Sequence, residues 1–156
     1  ELENIPLEQS FPMADAELPK EGKERVQVVK VRVNQAFFRT AVLAAYDDRC
    51  CITGLQNPQL LIAGHIRPWS TDEKNRVNPR NGIAINALHD KAFEHGLLTI
   101  TPDYRIKISS VITQNKKDPS LQDLFIKYDQ AEIILPSRFL PDPELLDYHN
   151  QERFVP

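Results

Sequence analysis

Three polar residues in one stretch of this chain have the types and the spacing to carry out a hydrolysis. His65, Asn81 and His89 follow one another at intervals of sixteen and eight within residues 60–100, which also hold His95 and the only tryptophan, Trp69. Histidine titrates near neutrality, at about 6.5 when unperturbed, and so is suited to take a proton from water. Attack of that water on a phosphodiester also needs neutralisation of charge at the phosphate and the leaving oxygen, which a divalent cation supplies best. Mg²⁺ keeps several of its waters and asks for one or two protein ligands. His89 with its neighbour Asp90 is such a sparse set. Asn81 then has the task of holding its loop or orienting a ring nitrogen of the base. The spacing alone is weakly specific, since three such residues occur in many chains.

The elements around these residues determine whether they can meet. LLIAGHI is a short apolar run ending near His65 and reads as a strand. RPWSTDEKNRVNPRN is a polar loop of about fifteen residues, a length that usually signals function or mobility. GIAIN reads as a second strand and ALHDKAFE as a helix of about two turns, closed by Gly96. Strand, loop, strand and helix of these lengths can turn His65, Asn81 and His89 toward one pocket.

Upstream, residues 1–24 are acidic, hold three prolines and read as a linker or extended arm. RVQVVKVRV at 25–33 is β-branched with near alternation and predicts a strand. Asn34 would then cap a helix over QAFFRTAVLAAYDD, whose apolar residues recur at three and four, with Asp47 and Asp48 marking its end. Downstream, LLTI and YRIKISS predict a hairpin, 118–128 a helix, EIILP an edge strand and 141–151 a last helix.

Composition narrows the class. The chain of 156 residues suits one domain, and it shows no apolar run long enough to span a bilayer and no secretory signal. It opens on Glu1 rather than Met, as a processed chain or a piece of a longer one would. Cys50 and Cys51 are adjacent, a poor geometry for a mutual disulfide, and fit buried small apolar side chains in a reducing cytoplasm. The net charge is −3, yet residues 25–117 carry fourteen basic against seven acidic side chains, between two acidic ends. A basic middle can face a phosphate backbone despite the overall sign. Arg67, Lys74, Arg76 and Arg80 in the central loop are the candidate phosphate contacts. Trp69 either stacks on a base or plugs its loop onto the core. His95 reads as a helix C-terminal residue and His149 as structural or exposed.

FFRTAVLAAYDDRCCITG at 37–54, LLIAGHIRPWS at 60–70 and NPRNGIAINALHDKAFEHGLLTI at 78–100 resemble the HNH endonuclease family, whose core is the ββα-metal fold. They look most like its bacterial subgroup from restriction and phage-defence proteins. The resemblance covers roughly residues 25–110. It implies an α+β fold: a ββα-metal core at about 50–96, within a nuclease domain over 25–156, with a packing N-terminal helix and additional C-terminal strands and helices. It implies a metal-dependent endonuclease of antiviral defence acting on DNA, double-stranded, with His65 as general base, Asn81 fixing the loop and His89 as metal ligand. The implied ion is divalent, Mg²⁺ first, with Mn²⁺, Ni²⁺ or Zn²⁺ as alternatives. Many members place an Asp or His just before the base; here that residue is Gly64. Either the site has one fewer ligand, or Asp90 or Glu94, four apart on the helix, takes over. Two further readings follow: a non-catalytic module that binds DNA or a partner on the same scaffold, and a nuclease end fused to or associated with a sensor domain. A homodimer is compatible with either; a membrane partner is not expected.

Overall fold

The computed structural model describes residues 20–156, with side chains from residue 22 onward. The chain divides into two compact units, Glu1–Gln35 and Ala36–Pro156. Helix α1 (Lys20–Ala45) supplies the described part of the first unit and the opening of the second. Most of the predicted linker lies outside the described residues.

The strand expected at 25–33 is instead part of α1, and Asn34 is in its interior rather than at its cap. β-branched residues favour strands only when a neighbouring strand is there to pack against. Both described sheets are two-stranded, and neither includes residues 25–33. From Lys23 to Tyr46 the sequence has neither Gly nor Pro, so nothing stops the helix from satisfying its own backbone. It ends at Ala45, and the next two residues but one, Asp47 and Asp48, take left-handed φ values of 52° and 54°.

The second unit is built on an antiparallel pair, β1 (Leu61–His65) and β2 (Gly82–Asn86), in a register that sets His65 opposite Gly82. Helix α2 (Ala87–Glu94) follows β2 directly, its first turn capped by the Asn86 side chain. Apolar residues on both faces bury all of β2 but its last residue. The predicted hairpin is present as β3 (Leu98–Ile100) and β4 (Ile106–Ile108). Short helices α3 (Ser110–Thr113) and α4 (Pro119–Leu124) follow, and α5 (Pro143–Glu152) closes the chain. Phe38, Val42, Ile66, Ile83, Ile85, Leu98, Ile100 and Leu146 are at the centre of the core. Among the described residues no helix is long and apolar enough to cross a membrane.

EIILP does not form the expected edge strand; only an isolated bridge joins Glu132 to Arg105. The reason is divided pairing: the Ile133 amide donates to Tyr104 and the Ile134 amide to Cys51, and Pro136 has no amide to give.

Gly82 is where α1 closes onto the sheet. A Cβ there would stand 2.5 Å from Val42 Cγ2 and 2.7 Å from Phe38 Cζ. Gly82→Ala is therefore expected to cost about 1–3 kcal/mol through overpacking, read as a lower midpoint in urea denaturation. An unchanged midpoint would mean α1 shifts freely at this contact.

Candidate functional site

A pocket of about 500 Å³ opens beside the end of β1, with His65 and Gly64 on one wall and Asp90 and Glu94 of α2 on another. His149 and Arg153 from the C-terminal helix line a further side.

His65 ends β1 and is half-buried. Its ring stacks on Phe38, centroids 3.9 Å apart at 10°, and meets the edge of Trp69 at 5.6 Å. Its Nε2 lies 2.9 Å from the Arg76 carbonyl oxygen. A carbonyl only accepts, so Nε2 carries the proton and Nδ1 keeps the lone pair. Burial pushes the His65 pKa below its usual value, with the Arg76 carbonyl pulling the other way. The imidazole is thus neutral at pH 7, fixed in one tautomer and held in one plane.

Asn81 is fully buried and acts as the knot of the loop. Its Oδ1 accepts from the Arg67 amide at 2.9 Å, while Nδ2 donates to the carbonyls of Arg67 and Asn75 at 3.1 and 3.2 Å. Its own carbonyl accepts from the Ile66 amide. These bonds tie both ends of the loop that carries the Arg76 carbonyl, so Asn81 fixes the group that fixes His65.

His89 is not in the pocket, and the metal-ligand role expected of it does not fit its surroundings. It is buried, with Nε2 2.5 Å from the Leu124 carbonyl and Nδ1 2.8 Å from the Asn86 amide nitrogen. One ring nitrogen donates and the other accepts, which leaves no lone pair for a cation. The ring packs edge-on against Phe125 and Tyr128. It is a structural histidine that docks the segment after α4 onto α2. The same Asn86 side chain reaches Cys50 Sγ at 3.3 Å, and the amides of Ile52, Thr53 and Asn86 also point at that sulfur. Burial raises the Cys50 pKa, but the hydrogen-bond donors around the sulfur, Thr53 and the Asn86 amide among them, outweigh it and bring the thiol down to about 6. Burial and then the charge of Cys50 push the Cys51 thiol up, against a lowering by its own backbone amide. Both thiols are free and buried.

Asp90 does face the pocket, and Gly64 makes room for it. A Cβ at position 64 would stand 2.8 Å from Asp90 Oδ1. The space in which a ligand side chain before the base would begin is filled by a carboxylate from the helix. Burial raises the Asp90 pKa, and the charge of Glu94 raises it further, against a lowering by Lys91. A desolvated carboxylate beside a second one is stabilised by a cation between them. Oxygen ligands of this kind suit a hard divalent ion that brings its own waters. Among the described residues no cluster of three or more His, Cys, Asp or Glu is placed to hold a metal unaided. The donor set, Asp90 with Glu94 four residues on, fits Mg²⁺ or Mn²⁺ better than a zinc-like site.

None of the four expected phosphate contacts lines the pocket. Arg67 lies over the Tyr148 ring at 4.3 Å, 3.6 Å from Asp72. Asn75 and then Arg67 hold the Asp72 carboxyl below its usual range, which burial opposes. Arg76 donates through Nε to the Trp69 carbonyl and sits over the Trp69 ring at 5.3 Å. Trp69 thereby plugs the loop and buttresses His65. Arg80 donates to the Leu140 carbonyl near the C-terminal segment. Lys74 is exposed on a short turn, Glu73–Asn75. Arg67 and Arg76 shape the loop, while Lys74 and Arg80 are both exposed.

Of the two readings the sequence left for His149, structural or exposed, the structure gives the buried, structural one, whereas sequence reasoning passed over Arg153. Its spacing of four from His149, at the end of the last helix, was the available signal, obscured by the acidic charge around it. His149 Nε2 donates to the Phe93 carbonyl at 3.0 Å, and Nδ1 accepts from Thr99 Oγ1 at 2.7 Å. Its ring stacks on Phe93 at 3.6 Å. It pins α5 to the helix that presents Asp90. Burial, helped by the charge of Arg153 and opposed by the Phe93 carbonyl, lowers its pKa to about 4. In the unfolded chain a histidine titrates near about 6.5. Between these values the unfolded state binds the proton and the folded state does not, so stability rises with pH there. Acidification from about pH 6.5 to about pH 4 should cost up to about 3 kcal/mol from this residue. Urea midpoints across that range should fall more steeply for the wild type than for His149→Gln; parallel curves would refute the assignment.

Residues 50–101 match the family model described as HNH endonuclease. No curated protein matches the chain. One solved structure similar to it is titled a modification-dependent TagI restriction endonuclease; it shares 21% identity, with a TM-score of 0.43, over 74% of this chain. The shared part spans 36% of that protein's length. The family's endonucleases act on DNA and generally use a divalent metal. β1, β2 and α2 all lie inside the stretch, residues 50–101, that matches the HNH endonuclease family, and the fold is α+β.

Proposed function

We propose that this protein is a metal-dependent DNA endonuclease working by a single-metal mechanism, with restriction or anti-phage defence as its setting. The observation that carries the reading is the state of His65: one nitrogen committed to Arg76, the other a bare acceptor at a pocket shared with Asp90. His65 Nδ1 takes a proton from water as that water attacks the scissile phosphorus. The stacked Phe38 ring and the Arg76 carbonyl hold the imidazole at one angle, and the carbonyl stabilises the imidazolium that forms. Asn81 holds the loop in place throughout. Asp90, with Glu94 beside it, would hold the divalent cation. Bound there, the ion would neutralise charge on the phosphate and on the departing oxygen. The defence setting rests on the resemblance of 37–54, 60–70 and 78–100 to the restriction subgroup. Attachment to a sensor domain, duplex DNA as the preferred substrate, and a cytoplasmic location belong to the same proposal.

The test is relaxation and linearisation of supercoiled plasmid with Mg²⁺ or Mn²⁺ and with chelator. Cleavage that needs the metal supports the reading. No cleavage under any divalent ion, with DNA binding retained, would favour instead a non-catalytic module on the same scaffold. The engagement of both His89 nitrogens is the feature that favours that second reading.

A further inference from the structure

A phosphodiester carries a negative charge, and the pocket already holds two carboxylates, Asp90 and Glu94. The phosphate must therefore meet a positive group on the protein as well as a cation. The loop arginines do not provide it. Of the side chains lining the pocket, the one with a permanent positive charge is Arg153, which lies outside the family-matched stretch.

The chain end is built to hold this side chain. The Arg153 amide donates to the His149 carbonyl and the Phe154 amide to the same oxygen, closing α5. The Val155 amide donates to the Gly96 carbonyl at 2.9 Å. Gly96 has a φ of +73°, and a Cβ there would stand 2.1 Å from the Arg153 carbonyl oxygen, so only glycine permits this docking. Ser110 Oγ donates to the Pro156 carbonyl. The guanidinium is steadied by one bond, Nη2 to the Glu94 carbonyl at 3.2 Å. Among the described residues it makes no ion pair with a carboxylate. A planar fork with free donors, anchored at one corner and facing the same space as His65, matches the geometry of phosphate oxygens.

Resting on the endonuclease reading of this pocket, we propose that Arg153 is the residue that binds the scissile phosphate, contributed by the C-terminal helix. Its donors take a non-bridging oxygen, align the phosphorus with the water held at His65 Nδ1, and offset the charge of Asp90 and Glu94.

The experiment compares Arg153→Met and Arg153→Lys with the wild type in the full chain. Plasmid cleavage kinetics are measured beside the salt dependence of binding to a labelled duplex, the latter in a His65→Ala background. Arg153→Met should lower kcat/KM by about 10- to 100-fold, the range of a charged hydrogen bond. It should reduce the slope of log affinity against log salt by about one, with a melting temperature close to wild type. Arg153→Lys should keep the slope but recover only part of the rate, and added guanidinium should partly restore cleavage to Arg153→Ala. Unchanged kcat/KM and slope in Arg153→Met, while the wild type still cuts and needs His65, would overturn the Arg153 proposal alone. A lost rate with an unchanged slope and a lowered melting temperature would also overturn it, by making Arg153 merely structural. If the wild type fails to cut but Arg153→Met still shows the smaller slope, the contact stands and the endonuclease reading falls.

Discussion

His65→Ala should leave a folded protein whose DNA cleavage is lower by about two to four orders of magnitude, the usual contribution of a positioned general base. The fold should survive because β1 is held by its pairing with β2 and by buried Leu61 and Ile66, not by the half-buried imidazole. The lost stacking on Phe38 should cost about 1 kcal/mol. The sign of the pH dependence follows from the same ring. Burial holds the His65 pKa below its usual value, and only the neutral ring is a base. kcat/KM should therefore rise with pH on an acid limb centred below about 6.5. A profile of cleavage rate against pH checks this; a limb centred well above neutrality would place the essential base elsewhere.

Asp90→Asn should be the second severe lesion, and it should separate function from stability. Removing one oxygen anion from a sparse site should weaken divalent-ion binding by at least about tenfold and reduce cleavage accordingly. The same change removes a desolvated charge that sits beside Glu94. Its raised pKa means the folded state disfavours the charged form, so at neutral pH the native carboxylate works against folding. Asp90→Asn should thus melt no lower than wild type without metal, and the wild type should gain more stability than the variant when Mn²⁺ is added. Thermal melts with and without the ion check both halves. A variant that is destabilised without metal would assign Asp90 to the architecture instead.

The elements nearest the site were the most legible in the sequence. GIAIN and ALHDKAFE coincide with β2 and α2 because a short apolar run and a capped two-turn helix are specified locally. The role of Asn81 in its loop was legible for the same reason, since a buried amide between two loop ends has few other uses. His89 and Asp90, the expected ligand pair, are adjacent on α2, and adjacent residues on a helix point about 100° apart. His89 turns into the core, while Asp90 and Glu94, four apart, line the pocket. Which of the two faces is inward depends on what covers the other, and that is Leu124 and Phe125, thirty-five residues and more away. The strand expected over 25–33 failed through the absence of a sheet partner, which no local pattern reveals. Arg153 was obscure because its position depends on Gly96 and Glu94, whose contact with the chain end is tertiary.

Calorimetric titration of Mn²⁺ into His65→Ala, Asp90→Asn and His89→Gln, with plasmid cleavage assayed on the same samples, addresses the site most directly. His65→Ala should bind the ion and lose cleavage, Asp90→Asn should bind it at least about tenfold more weakly with cleavage reduced to match, and any folded fraction of His89→Gln should still bind the ion. Loss of the ion in His89→Gln, with binding kept in Asp90→Asn and cleavage kept in His65→Ala, would contradict this account of the pocket.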